Sequence, residues 1–216
     1  MRMVRLVLAS NNAKKLAELQ ALLAGAAVEL VAQGSLGVAE AEEPHITFIE
    51  NALAKARHAA AATGCAAIAD DSGLCVDALG GAPGVISAHY GGEIEVRAEV
   101  VVSPREAVRQ WQDAVNNTRL LADLQGVTDR RAHFVCTLVA VKSADDPQPL
   151  VAVGRWPGEI LQAPRGTAGF GYDPLMYIPA LGRTAAEMGA DLKNSISHRA
   201  IATAQLRSLL LEVWRL

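Results

Sequence analysis

Two adjacent carboxylates, Asp70 and Asp71, end an apolar run at Ala66–Ala69 and are followed by Ser72 and Gly73. The run reads as a buried strand, and in open α/β sheets ligands bind just beyond the carboxyl ends of strands. A pair of carboxylates there suits Mg²⁺, which takes one or two of them together with substrate phosphates. The plainer use of Asp-Ser-Gly is a turn between two elements. Three other stretches bear on the choice. Ser10-Asn11-Asn12-Ala13-Lys14-Lys15 lies where a strand gives way to a helix, and the free N–H groups and dipole of a helix start attract anions. Glu43, in an acidic stretch with Glu40 and Glu42, can join Asp71 around a metal or remain a solvated charge. Phe170 and Tyr172, set among Gly169, Gly171, Asp173 and Pro174, can stack on a flat ligand or tuck into the core. With Lys14, Lys15 and Lys193 as cations, these are the parts of a Mg-nucleotide site: phosphate charges, metal carboxylates and an aromatic platform.

The elements that must position these residues follow from periodicity. Val4–Ala9 and Ala27–Ala32 read as strands. Asn12–Leu23 carries Leu16, Leu19 and Leu23 at helical spacing, with Ser10, Asn11 or Asn12 as its cap. Phe48–Ala62 is a helix with Phe48, Ala52, Ala56 and Ala59 on one face and Gly64 as its stop. A further helix starts at Pro104, with Val108, Trp111 and Val115 in register, and continues through Leu124. Ala132–Val141 and Leu150–Gly154 are strands around the turn Asp145–Pro149. Ser197 caps a last helix over His198–Val213. Strands and helices mix without strict alternation, which predicts an α/β fold with a mixed sheet.

Composition narrows the function. The 216 residues are 51% hydrophobic and 20% charged, with a net charge of −3. The absence of a basic excess argues against a nucleic-acid partner, although a local cation cluster suffices for a small anion. No apolar run approaches a membrane span. Three cysteines, Cys65, Cys75 and Cys136, make an odd count with no C-x-x-C spacing, which fits a reducing, cytoplasmic setting rather than a disulfide framework or a zinc site.

Six ordered segments resemble the inosine triphosphate pyrophosphatase family nearly end to end. They are Ser10–Lys15, Thr47–Ala56 with Asn51 and Lys55, Ala69–Leu74, Leu79–Gly84, Phe170–Pro174 and Ser195–Arg199. The resemblance implies one domain over 1–216, an elongated mixed twisted sheet with flanking helices, and two lobes around an active-site cleft. It implies Mg²⁺-dependent hydrolysis of deaminated purine nucleoside triphosphates to monophosphate and pyrophosphate, by a homodimer. By position, Asp71 matches the family's general base, and Glu43 with Asp71 its metal carboxylates. Ser10, Asn12, Lys15, Lys55 and Lys193 match its phosphate-binding positions, with Lys14 and Ser72 beside them. Phe170, Gly171, Tyr172 and Asp173, with His198 and Arg199, match its base-binding wall.

The chain departs from the family at Asn11 and Lys14, where glycine is common, and at His89, where arginine is common. A stretch of roughly a dozen residues near 93–107 looks like an insertion, as loops tolerate. Two alternatives differ in kind. A Maf-type pyrophosphatase of modified pyrimidine nucleotides would carry an Arg-Arg pair where Lys14-Lys15 stands. A non-catalytic nucleotide-binding regulator would lack the carboxylates Glu43 and Asp71.

Overall fold

Side chains of successive strand residues point to opposite faces of a sheet, and this alternation organises the first half of the molecule. The structure is a computed structural model and describes residues 4–24, 27–92 and 105–216. Strand β1 (Val4–Leu8) leads through helix α1 (Ala13–Leu22) to β2 (Val28–Ala32), and helix α2 (Phe48–Thr63) leads to β3 (Ala67–Val76). Helix α3 (Arg105–Asp123) precedes β4 (Arg131–Val141) and β5 (Leu150–Ile160). The short strands β6 (Met176–Ile178) and β7 (Arg183–Thr184) follow, then α4 (Ala190–Ile196) and α5 (His198–Leu209). Among the described residues these strands join in one sheet of order β2-β1-β3-β4-β5-β6-β7. β1 pairs in parallel with β2 and β3, while β6 pairs antiparallel with β5 and β7, so the sheet is mixed.

Contacts divide the chain into two compact units. The first comprises Met1–Ser72, Val135–Arg155 and Asn194–Leu216. On one face of its sheet, Leu6, Leu8, Ile68, Cys136 and Leu138 pack against Leu19 of α1 and Ala202 and Leu206 of α5. On the other face, Val7, Ala67, Ala69 and Val139 meet the alanine stripe Ala52, Ala56, Ala59 and Ala60 of α2. Each fully buried leucine contributes about 1.5–3 kcal/mol relative to exposure. The caps are local: Asn12 Oδ1 accepts from the N–H groups of Lys14 and Lys15, Thr47 caps α2, and Gly64 ends α2 at φ 64°.

The second unit comprises Gly73–Phe134 and Trp156–Lys193. Its buried side chains include Leu74, Leu120, Leu124, Phe134, Trp156, Ile160, Tyr172 and Leu175. Phe134 and Trp156 stack with ring centroids 6.4 Å apart.

Three expectations change. The strand does not end at Ala69: β3 runs through Asp70, Asp71, Ser72 and Gly73 to Val76, because cations from the flanking helices receive both carboxylates. Likewise β5 continues from Gly154 to Ile160. In α3, Trp111 is 55% exposed rather than part of an apolar inner face. That helix turns Asn116 inward instead, where it accepts from the Gly91 N–H and donates to the carbonyls of Ser87 and Ala88. Residues 93–104 of the expected insertion lie outside the described residues, and 105–107 open α3.

Candidate active site

Strand alternation separates the two aspartates. Asp70 shares the face of Ile68 and looks to α1 and α5; Asp71 shares the face of Ala69 and looks to α2. Each has its own set of partners.

Asp70 is fully buried. Its Oδ1 accepts from Lys15 Nζ at 2.6 Å and from Ser72 Oγ at 2.7 Å, and its Oδ2 accepts from Arg199 Nε at 2.8 Å. Arg199 is itself 1% exposed, and its Nη1 donates to Glu18. Burial acts to raise the Asp70 pKa, but the charges of Arg199 and Lys15 outweigh it and hold the carboxyl well below its ordinary value. Cys136 lies on this face with Sγ 3.4 Å from Asp70 Oδ2, and burial together with Asp70 pushes its thiol pKa up. It is therefore a buried neutral thiol, unsuited to nucleophilic work.

Asp71 faces a different environment. Lys55 Nζ donates to Asp71 Oδ1 at 2.9 Å and to Glu43 Oε2 at 2.8 Å, so one ammonium joins two carboxylates. Asp71 Oδ2 is buried and has no hydrogen-bond partner among the described residues. Burial, with the charge of Glu43 adding to it, pushes the Asp71 pKa up to about 6 against the pull of Lys55. Glu43 also feels burial, but Lys55 outweighs it and holds its pKa down. Burial acts to lower the Lys55 pKa, and Asp71 and Glu43 together raise it.

An unpartnered buried carboxylate oxygen beside a half-exposed carboxylate fits a hard divalent cation that keeps waters and takes only one or two protein ligands. The same oxygen, on a group with pKa near neutrality, is suited to accept a proton.

The second unit carries the glycine-aromatic loop. Gly169 and Gly171 adopt positive φ, 78° and 63°. A Cβ at Gly169 would lie 2.0 Å from Asp173 Oδ2, so the residue must be glycine. Asp173 Oδ2 accepts from the Phe170 N–H at 2.9 Å and from Lys193 Nζ at 2.6 Å. Lys193 Nζ stands 4.9 Å from the Phe170 ring centroid. Tyr172 is buried, and its hydroxyl donates to the Ser87 carbonyl at 2.8 Å. Phe170 is thus the partly exposed ring of the pair, and Tyr172 is a core residue.

The expected residues fall into these sets. Lys15, Ser72 and Arg199 surround Asp70, while Lys55 and Glu43 surround Asp71. Asn12 acts as helix cap, Ser10 Oγ accepts from the Asn12 N–H, and the Lys14 N–H points at Asn12 Oδ1. His198 is buried at the start of α5. Lys193, expected with the phosphate lysines, is grouped with Phe170 and Asp173. Arg199, expected with the base wall, is held by Asp70 and Glu18. Asp70, expected with Asp71 as a carboxylate pair, is turned to the opposite face of β3 and bound by cations of its own. One member was not singled out in the sequence: Glu18, which lies three residues after Lys15 on the same helical face.

Known proteins resemble this chain over nearly its whole length. A dITP/XTP pyrophosphatase of Methylibium petroleiphilum is 67% identical over 211 residues, 98% of this chain and 99% of its own. One of Leptothrix cholodnii is 66% identical, covering 99% of this chain and 100% of its own. The solved structure of a HAM1 protein from Coxiella burnetii superposes with a TM-score of 0.84 at 43% identity, covering 98% of this chain and 100% of its own. The Ham1 family matches residues 6–209, from β1 to the end of α5, and the chain belongs to that family.

Proposed function

We propose that this protein hydrolyses non-standard purine nucleoside triphosphates, of the dITP and XTP kind, to the monophosphate and pyrophosphate. The observation that carries the chemistry is Asp71, with one oxygen on Lys55 and the other buried without a partner. Support for the substrate class comes from the relatives named dITP/XTP pyrophosphatase at 66–67% identity.

The reaction places water at the α-phosphorus and breaks the bond to the departing pyrophosphate. Asp71 Oδ2 takes the water's proton as the new P–O bond forms. Lys55 keeps Asp71 oriented and contributes charge to the phosphates, and Lys15, paired with Asp70, adds charge from α1. Glu43 and Asp71 would hold Mg²⁺, which when bound neutralises triphosphate charge. Phe170 offers a ring for stacking on the purine.

The wider reading is a cytoplasmic homodimer that binds neither nucleic acid nor membrane. Cys65, Cys75 and Cys136 form no disulfide among the described residues, and the net charge is −3. Among the described residues no helix is long and apolar enough to cross a membrane. Trp111 on α3 and Ile86 on the neighbouring 3₁₀ turn Gly84–His89 are each 55% exposed and offer apolar surface for self-association.

The deciding assay measures pyrophosphate release from dITP, XTP, dATP, dGTP and modified pyrimidine triphosphates, with and without Mg²⁺. Mg²⁺-dependent turnover of dITP and XTP well above the others is expected. Turnover confined to modified pyrimidines, or nucleotide binding with no turnover, would reject the reading.

A further inference from the structure

Helix α3 holds the loop that carries Phe170. Asp113 Oδ2 accepts from the Gly171 N–H at 2.7 Å, and Asn117 Nδ2 donates to the Gly171 carbonyl at 3.0 Å. The two side chains are four residues apart, on one face of the helix. They therefore grip both polar groups of a glycine whose φ of 63° leaves its peptides to be set from outside. The flanking residues are tied as well. The Phe170 N–H is bound by Asp173, and the Tyr172 hydroxyl by the Ser87 carbonyl. Asn116, between the two grips, holds Ser87, Ala88 and Gly91, and Gln112 Nε2 donates to the Gly92 carbonyl. The loop and the helix thus form one hydrogen-bonded assembly, in which Phe170 is the partly exposed aromatic ring.

We infer that Asp113 and Asn117 are positioning residues for nucleobase selection: by clamping Gly171 they fix the plane of the Phe170 ring and the direction of the loop's backbone groups. The inference rests on the reading of Phe170 as the base platform. A base recognised by stacking and by backbone hydrogen bonds is discriminated only as finely as those groups are held. Loosening the clamp should weaken selection between purines before it affects bond cleavage, which is assigned to Asp71.

The test compares Asp113→Ala, Asn117→Ala, Asp113→Asn and Phe170→Ala in the full-length protein. For each, kcat and KM are measured with dITP, dATP and dGTP, and Tm is measured alongside. Loss of one such hydrogen bond should raise KM for dITP about tenfold. The dITP preference over dATP and dGTP should fall by a similar factor, with kcat changing less than about threefold. Asp113→Asn, which keeps an acceptor for the Gly171 N–H, should retain most of the preference. A purely structural role predicts lowered Tm and equal losses on all three nucleotides, and that pattern would overturn the inference. So would alanine variants with wild-type KM and preference alongside a Phe170→Ala variant that binds every purine poorly. A Phe170→Ala enzyme indistinguishable from wild type would instead remove the base-platform reading, and this inference with it.

Discussion

At the scale of single residues, the division of labour between Asp70 and Asp71 is the main result. Asp71 keeps an unpartnered oxygen and a raised pKa, whereas Asp70 is saturated by Lys15, Ser72 and Arg199. Asp71→Asn should therefore lose at least about 10²-fold in kcat while still folding and still binding nucleotide. Single-turnover kinetics beside a thermal melt checks this, and a fully active variant would remove the assignment. Asp70→Asn should behave differently. It leaves Arg199 buried with only Glu18 as its carboxylate partner, and should cost about 3 kcal/mol, the low end for breaking a buried ion pair. The pH dependence has a definite sign. Because the folded pKa of Asp70 is depressed, its contribution is complete above the unfolded value of about 4 and is lost as pH falls through the folded one. Wild-type stability should drop on acidification below about pH 4, and Asp70→Asn should flatten that part of the profile, as chemical denaturation across pH 2.5–7 would reveal.

At the scale of elements, the register of β3 decides which helix supplies each cation. α1 and α5 serve the Asp70 face and α2 the Asp71 face, so the packing of α5 on the sheet bears directly on Arg199. Gly154 in β5 is where that packing is tightest. A Cβ there would lie 1.9 Å from the His198 carbonyl oxygen and 2.7 Å from the Ala202 nitrogen, both backbone atoms of α5. Gly154→Ala should force the helix outward and cost about 1–3 kcal/mol or more. A Gly154→Ala protein with wild-type Tm would show that the strand and helix pack less closely than described. α3 shows the same dependence from the opposite direction, since its inward face carries Asn116 rather than Trp111 and serves loops by hydrogen bonding.

At the scale of the whole molecule, the predictions concern association and selectivity. A homodimer should scatter light as roughly twice the 22.7 kDa chain at micromolar concentration, and a monomer would reject that part of the reading. Selectivity should follow the 6-oxo group. A site with donors near that position accepts hypoxanthine and xanthine and leaves the adenine amino group facing a donor, at about 1–3 kcal/mol per mismatched buried group. Rejection of guanine needs a further feature at its 2-amino group. The ratio of kcat/KM for dITP over dATP and dGTP should exceed tenfold, consistent with the large discrimination possible where a polar group is left unpaired. A ratio below ten would overturn this account of base recognition while leaving the hydrolytic chemistry intact.

The sequence by itself determined what local rules can reach. Asn12, Thr47, Gly64 and Ser197 mark helix ends, because caps depend on a few neighbouring residues. The spaced alanines of α2 and the apolar run of β1 mark a mixed α/β fold, and the ordered motifs mark the family. Tertiary structure alone decided where β3 ends. Two adjacent carboxylates look like a stop until the lysines and arginine that receive them arrive from α1, α2 and α5, as many as 129 residues away for Arg199. The same cause put Lys193 on Asp173 and Phe170, Arg199 on Asp70 and Glu18, and Tyr172 in the core of its unit. A cation in a motif has a charge but no direction. Its partner is selected by which face of the sheet its helix covers, and that follows from long-range packing.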